Sequence, residues 1–236
     1  MIGNWLLFGT VLLVALWYLA PYVLRRRGEA HLARRVADQG VVVLSYDDGP
    51  GQTLTPDLLD LLAAEQVQAT FFMIGDAVDA APEVAARVLE AGHEGGSHTM
   101  HHHNAWKTGP LRATRDITQG VARITAAGGQ GKLFRPPYGK MTLGGLCAGA
   151  LLGLRYGWWS VDPRDSWAPR PPEDVLRQIE AQGGGVVLMH DFDAPRRSEL
   201  QAEAHKAYVL SLTRDVIALA RRQGYSFKTL GEVLDR

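Results

Sequence analysis

The unbroken apolar run Val41-Val42-Val43-Leu44, leading through Ser45-Tyr46 into Asp47-Asp48-Gly49-Pro50, constrains the fold more than any other stretch of the chain. A short β-branched run that ends in turn residues reads as a strand buried on both faces, the kind found in parallel sheets covered by helices. Asp, Gly and Pro are turn formers, so two adjacent carboxylates fall where that strand ends. Fifty residues after Asp48, Gly96-Ser97-His98-Thr99-Met100-His101-His102-His103 offers imidazoles four apart at His98 and His102, with His101 as the i, i+3 alternative. One Asp with two His makes a three-ligand metal site with an open position, as in catalytic rather than structural zinc sites. Zn²⁺ suits two nitrogens and a carboxylate, and Co²⁺, Ni²⁺ or Mn²⁺ can take the same donors. The second Asp is then free to act as a base.

Strand and helix patterns alternate through the rest of the chain. Strands are expected at 41–46, 69–74, 94–97 and 185–188, and helices at 55–65, 82–91, 171–181 and 200–223; Leu58, Leu59, Leu61 and Leu62 give the first helix its apolar face. This alternation predicts an α/β parallel architecture. Gly128-Gly129-Gln130-Gly131 and Gly183-Gly184-Gly185 read as turns entering strands.

Residues 5–24 form a 20-residue stretch without a charge, long enough to cross a hydrocarbon core of roughly 30 Å as a helix. The sequence thus predicts a transmembrane anchor at 1–24, a short, partly helical basic juxtamembrane linker at 25–39 and one domain at 40–236. Arg25-Arg26-Arg27 follows the span, and the positive-inside rule then puts the domain in the cytoplasm, with an extracytoplasmic domain as the alternative. The same arginines could hold anionic lipid headgroups. Five arginines against Glu29 in 25–35 leave 20 basic and 24 acidic side chains in 36–236, so the domain lacks the basic face that nucleic acid requires. Cys147 is the single cysteine, which excludes an intrachain disulfide.

Five blocks of sequence carry a resemblance. Ser45-Tyr46-Asp47-Asp48-Gly49-Pro50, His98-Thr99-Met100-His101-His102, Arg135-Pro136-Pro137-Tyr138-Gly139, Asp165-Ser166-Trp167 and Leu188-Met189-His190 stand in the order of the motifs of polysaccharide deacetylases of the NodB-homology type, carbohydrate esterase family four. The chain resembles that family over roughly 40–236. The resemblance implies a distorted, incomplete (β/α) barrel of about seven parallel strands, with the catalytic residues at strand carboxy ends. It also implies removal of acetyl from an N-acetylated amino sugar. Deacetylation or deformylation of a lipid-linked sugar is the alternative within enzymes, and an inactive sugar-binding module the alternative outside them; the latter would be expected to lack Asp47, Arg135 or His190.

By the same resemblance Asp48, His98 and His102 hold the metal. Asp47 takes the proton of the attacking water, Arg135 orients Asp47, and the Tyr138 N–H shares the oxyanion. His190 protonates the leaving nitrogen, and Asp165 keeps that imidazole cationic. Ser166 separates Asp165 from Trp167, where the family commonly has Asp directly before Trp, so Asp162 is a second candidate partner for His190. Trp167 is the candidate for stacking on a sugar face; Trp106, Trp158 and Trp159 read as core, and His31, His93 and His205 as structural or surface residues.

Overall fold

The computed structural model describes residues 2–193 and 198–235, with side chains from residue 9 onward. The 41–44 run forms β1 (Val41–Asp47), buried at every position. A long helix, α1 (Ile2–Gln39), precedes it. There follow α2 (Leu54–Ala64), β2 (Thr70–Met73), α3 (Gly75–Ala80), α4 (Pro82–Glu90), β3 (Glu94–Ser97), α5 (Pro110–Ala126), β4 (Leu133–Phe134) and α6 (Leu143–Leu152). The chain continues through β5 (Arg155–Tyr156), α7 (Pro172–Gln182), β6 (Gly185–His190), α8 (Glu199–Gln223), β7 (Ser226–Phe227) and α9 (Leu230–Leu234). Each expected strand and helix lies within about two residues of its sequence bounds. Helices α5 and α6, and strands β4, β5 and β7 of two residues each, were not legible.

The strands are all parallel, in the order β5-β4-β3-β2-β1-β6. These six form an α/β half-barrel. β7 joins β1 at Val41 and Val42, below β2, which pairs with β1 only from Ser45 to Asp47. Past β5 the chain crosses to the opposite edge, where Val161 bridges Val187 of β6. The gap of the half-barrel is thereby narrowed without a closing strand.

Strand alternation divides β1 between two cores. Val42, Leu44 and Tyr46 join the cluster beneath α2 and α8, whereas Val41 and Val43 join Phe72, Leu133, Trp158 and Val186 in the other. That second cluster is completed by Leu32 and Val36 of α1 and by Leu230 and Val233 of α9.

The basic stretch 25–39, expected to be partly helical, is helical throughout. α1 runs without a break through 25–39, and Leu32 and Val36 are 3% and 1% exposed. Among the described residues no helix is long and apolar enough to cross a membrane. The uncharged stretch 5–24 lies within α1. Val11, Leu13 and Leu19 on this stretch are exposed.

Candidate active site

The carboxy ends of four strands converge on one cavity. β1 ends at Asp47, β3 delivers His98, β4 delivers Arg135 and β6 ends at His190. Among the described residues six non-glycine residues have left-handed backbone, and Asp48 (φ 72°), Thr99 (φ 69°), His102 (φ 54°) and Tyr138 (φ 57°) are four of them. Such conformations cost of order 1–3 kcal/mol each and persist where surrounding structure holds them. At Asp48 the consequence is direct. Neighbouring side chains on a strand point to opposite faces, but the left-handed turn brings Asp47 and Asp48 to the same imidazole, with Asp47 Oδ2 3.8 Å and Asp48 Oδ1 3.3 Å from His98 Nε2.

Asp48 Oδ1 also lies 3.1 Å from His102 Nε2. The ligand atoms of Asp48, His98 and His102 all fall within 4.8 Å of one another. His98 Nδ1 is 2.7 Å from the Arg135 carbonyl; a carbonyl only accepts, so Nδ1 donates there and Nε2 is the ring atom that faces Asp48. Asp48 Oδ1 is buried and has no hydrogen-bond partner. Burial raises the Asp48 pKa, yet the His102 and His98 imidazoles outweigh it and hold the carboxyl well below its ordinary range. An ionised, unbonded oxygen facing two imidazole nitrogens fits a divalent cation. His101 is turned away, with Nδ1 2.8 Å from Asp76, and His103 Nδ1 lies 3.3 Å from Asp116. Of the two spacings open in the sequence, His98 with His102 makes the cluster.

On one side of this cluster Arg135, fully buried, donates from Nη1 to Asp47 Oδ1 at 2.6 Å and to Ser45 Oγ at 3.0 Å. Its Nε and Nη2 donate to the carbonyls of Gly157 (2.8 Å) and Trp158 (3.3 Å). Those carbonyls belong to the segment that crosses the barrel gap, so Arg135 ties that crossing to the end of β1. Burial lowers the Arg135 pKa from its ordinary value, and Asp47 opposes this.

On the other side, Asp165 Oδ1 is 2.9 Å from His190 Nδ1, and Asp165 Oδ2 accepts the His190 N–H at 2.9 Å. Burial alone would lower the His190 pKa; Asp165, with Asp48 and Asp47 farther off, reverses this and pushes it up to about 10. Burial would raise that of Asp165, but His190 and His205 draw it down to about 2. Asp162, the second candidate, instead accepts the Arg164 N–H at 2.8 Å.

Tyr138 and Trp167 stand at the rim, 55% and 69% exposed. The turn at Tyr138 is closed by Gly139 N–H to Pro136 O (2.9 Å) and Lys140 N–H to Pro137 O (3.0 Å), and the Tyr138 N–H takes no part in closing it. The cavity measures about 530 Å³ and is lined by Asp47, Asp48, His98, His102, Tyr138, Trp159, Trp167 and His190 among others.

Three further residues belong to this neighbourhood. His205, read as a structural or surface residue, has Nε2 3.3 Å from Asp165 Oδ2. Asp191 is buried against the Asp47–Gly51 turn: its N–H donates to Asp47 O (3.0 Å), and Thr55 Oγ1 donates to its Oδ2 (2.7 Å). Its position next to His190 was the available signal. Arg25 of α1 reaches the Tyr138 turn, and no pattern in the sequence points there.

The profile of the polysaccharide deacetylase family matches residues 34–157. A peptidoglycan-N-acetylglucosamine deacetylase of Bacillus cereus is 33% identical over 201 residues, covering 84% of this chain and 89% of the relative. A chitooligosaccharide deacetylase of Bradyrhizobium sp. is 36% identical over 187 residues, covering 77% and 85%. Among solved structures, a crystallised peptidoglycan N-acetylglucosamine deacetylase superposes with a TM-score of 0.72 at 26% identity, covering 83% of this chain and 88% of that one. The half-barrel, the order of its blocks and these likenesses agree: the chain belongs to the polysaccharide deacetylases, hydrolases of carbon–nitrogen bonds other than peptide bonds.

Proposed function

We propose that the chain hydrolyses the N-acetyl amide of an amino sugar within an oligosaccharide or polysaccharide, in a metal-dependent reaction. One observation carries the reading: a single cavity is lined by the Asp48–His98–His102 cluster together with Asp47, whose partner is Arg135, and His190, whose partner is Asp165. The names of the relatives, which act on N-acetylglucosamine polymers and chitooligosaccharides, support the substrate class.

Asp48, His98 and His102 hold the cation. A divalent ion at such a site lowers the pKa of water that it binds and polarises a carbonyl as a Lewis acid; zinc suits the donor set, as cobalt, nickel or manganese also can. Asp47, kept in place by Arg135, accepts a proton from the attacking water. The Tyr138 N–H receives charge developing on the acetyl oxygen. His190, held cationic by Asp165, donates its proton to the departing nitrogen, which leaves as the free amine of the sugar. Trp167 is placed to cover a sugar ring at the rim.

A second reading, a lipid-linked N-acylated sugar, is favoured by one feature: Val11, Leu13 and Leu19 are exposed on the same helix whose Arg25 reaches the cavity rim. The proposal keeps the domain on the cytoplasmic side of a membrane, supported by the charge of Arg25-Arg26-Arg27; degradation of the domain by protease added outside sealed cells would refute that side.

The test is acetate release from N-acetylglucosamine oligosaccharides by the full chain, before chelation, after it, and with each divalent metal restored. Release that disappears on chelation and returns with metal supports the reading. Release insensitive to chelation overturns it, as does sugar binding without any release. Turnover confined to polyprenyl-linked sugars would favour the second reading.

A further inference from the structure

We infer that Arg25 is a positioning residue for the Tyr138 turn, so that the amino-terminal helix, outside the 34–157 stretch matched by the family, completes the catalytic cavity. Arg25 Nη1 donates to Gly139 O at 2.7 Å and lies 3.4 Å from Tyr138 O. Its Nε donates to Glu29 Oε1 at 2.6 Å, which fixes its plane, and the other oxygen of Glu29 accepts from Arg26 Nη1 at 2.6 Å. Glu29 is itself buried, 8% exposed. The guanidinium carbon lies 4.8 Å from the centre of the Trp159 ring, and Trp159 lines the cavity. A guanidinium fork bonded on two sides and stacked on an indole is far more restrained than a surface arginine.

Two glycines show how closely helix and turn meet. Gly139 has φ +61°, a backbone that side chains avoid, and a Cβ there would lie 2.2 Å from Arg25 Nη1. One turn after Arg25, a Cβ on Gly28 would lie 2.6 Å from Trp158 Nε1. The Arg25 side chain thus packs directly on the turn, and α1 packs directly on Trp158, beside the Trp159 that lines the cavity.

This contact bears on catalysis through Tyr138. Its left-handed backbone is strained, and the carbonyls of Tyr138 and Gly139 are the groups that Arg25 holds. Oxyanion donors act only when preorganised at the developing charge, and a displacement of about 1 Å in a catalytic group can cost about 10²-fold in rate. The inference rests on the proposed role of the Tyr138 N–H.

The experiment compares the full chain with Arg25→Ala, Arg25→Lys and Arg27→Ala. Readouts are kcat and KM for N-acetylglucosamine oligosaccharides, bound metal, and amide hydrogen exchange across 136–142. Arg25→Ala should lower kcat by about tenfold or more while KM stays within about twofold. Metal content should not change, and exchange should quicken in 136–142 alone. Arg25→Lys should recover part of the rate, and Arg27→Ala, an exposed arginine of the same helix, should match wild type. An Arg25→Ala variant with wild-type kcat overturns the inference, as does one whose lost activity tracks lost metal and faster exchange everywhere. If wild-type protein releases no acetate, the functional reading fails first; unchanged exchange at 136–142 in Arg25→Ala would then separately dismiss the positioning role.

Discussion

Asp165 grips His190 twice, once at the ring Nδ1 and once at the backbone N–H, each at 2.9 Å. The first contact favours the imidazolium and the second fixes where the ring stands. His190 has a folded pKa above its unfolded value, so its stabilisation is complete below about 6.5 and is lost as pH rises through the folded value of about 10. Asp165 is depressed to about 2, so its contribution is present above roughly 4 and lost as pH falls through that folded value. A cation on Asp48 cancels that carboxylate's share of the His190 shift, which brings the alkaline limb of kcat somewhat below 10. Asp165→Asn should move that limb down by more than about one pH unit and lower kcat at neutral pH. A pH–rate profile checks this; an unmoved limb would detach Asp165 from the proton donor.

Asp47 offsets the charge of a guanidinium that is otherwise held only by neutral groups, Ser45 Oγ and two carbonyls. Asp47→Asn should lower kcat by roughly 10²–10⁴-fold, the usual contribution of a general base, while metal content stays at the wild-type level. It should also destabilise the fold by about 3 kcal/mol, because a buried charge loses its partner. Kinetics, metal analysis and urea unfolding together report this, and wild-type kcat would remove Asp47 from the base role.

His102 faces Asp48, whereas His101 faces Asp76 at the surface. An exposed pair of the latter kind is worth only ~0–1 kcal/mol. His101→Ala should therefore bind Zn²⁺ as wild type does. His102→Ala should weaken binding by more than the roughly 10–100-fold typical of outer-sphere changes. Titration with Zn²⁺ distinguishes the two, and equal losses would mean that the cluster is not the binding site.

Asp191 shows the opposite electrostatics from Asp48. Burial pushes its carboxyl up to about 7, Asp48 and Asp47 add to this, and the Thr55 hydroxyl only partly opposes it. A carboxyl with a raised folded pKa destabilises progressively as pH rises from its unfolded value near 4 to its folded value. Asp191→Asn should thus be more stable than wild type at pH 8, by roughly 1–3 kcal/mol, with the difference vanishing near pH 4. Thermal unfolding across pH measures this, and a difference that does not vary with pH would contradict it.

Local sequence made much of the fold legible. Val41-Val42-Val43-Leu44 could only be a doubly buried strand, and leucines at helical spacing marked α2. Strands of two residues such as β4, β5 and β7 carry no detectable period. Helix α6, with Gly144, Gly145 and Gly149 among its ten residues, lacks a recognisable apolar stripe. At the site, the resemblance of the five blocks implied that Asp47, Asp48, His98, Arg135 and His190 fall at strand ends.

What the sequence determined by itself is the parallel α/β architecture, because hydrophobic periodicity and turn chemistry act over a few neighbours, and, through the resemblance of its five blocks to a known family, the identity of the residues that meet in the cavity. What only the tertiary structure decided is which partner each group took. Asp165 rather than Asp162 faces His190, while Asp162 turns to the Arg164 N–H. His205 reaches Asp165 across 40 residues, and Arg25 reaches Gly139 across 114. Contacts at that separation are set by how α8 and α1 dock on the half-barrel, which depends on the burial of whole helix faces and leaves no trace in local spacing.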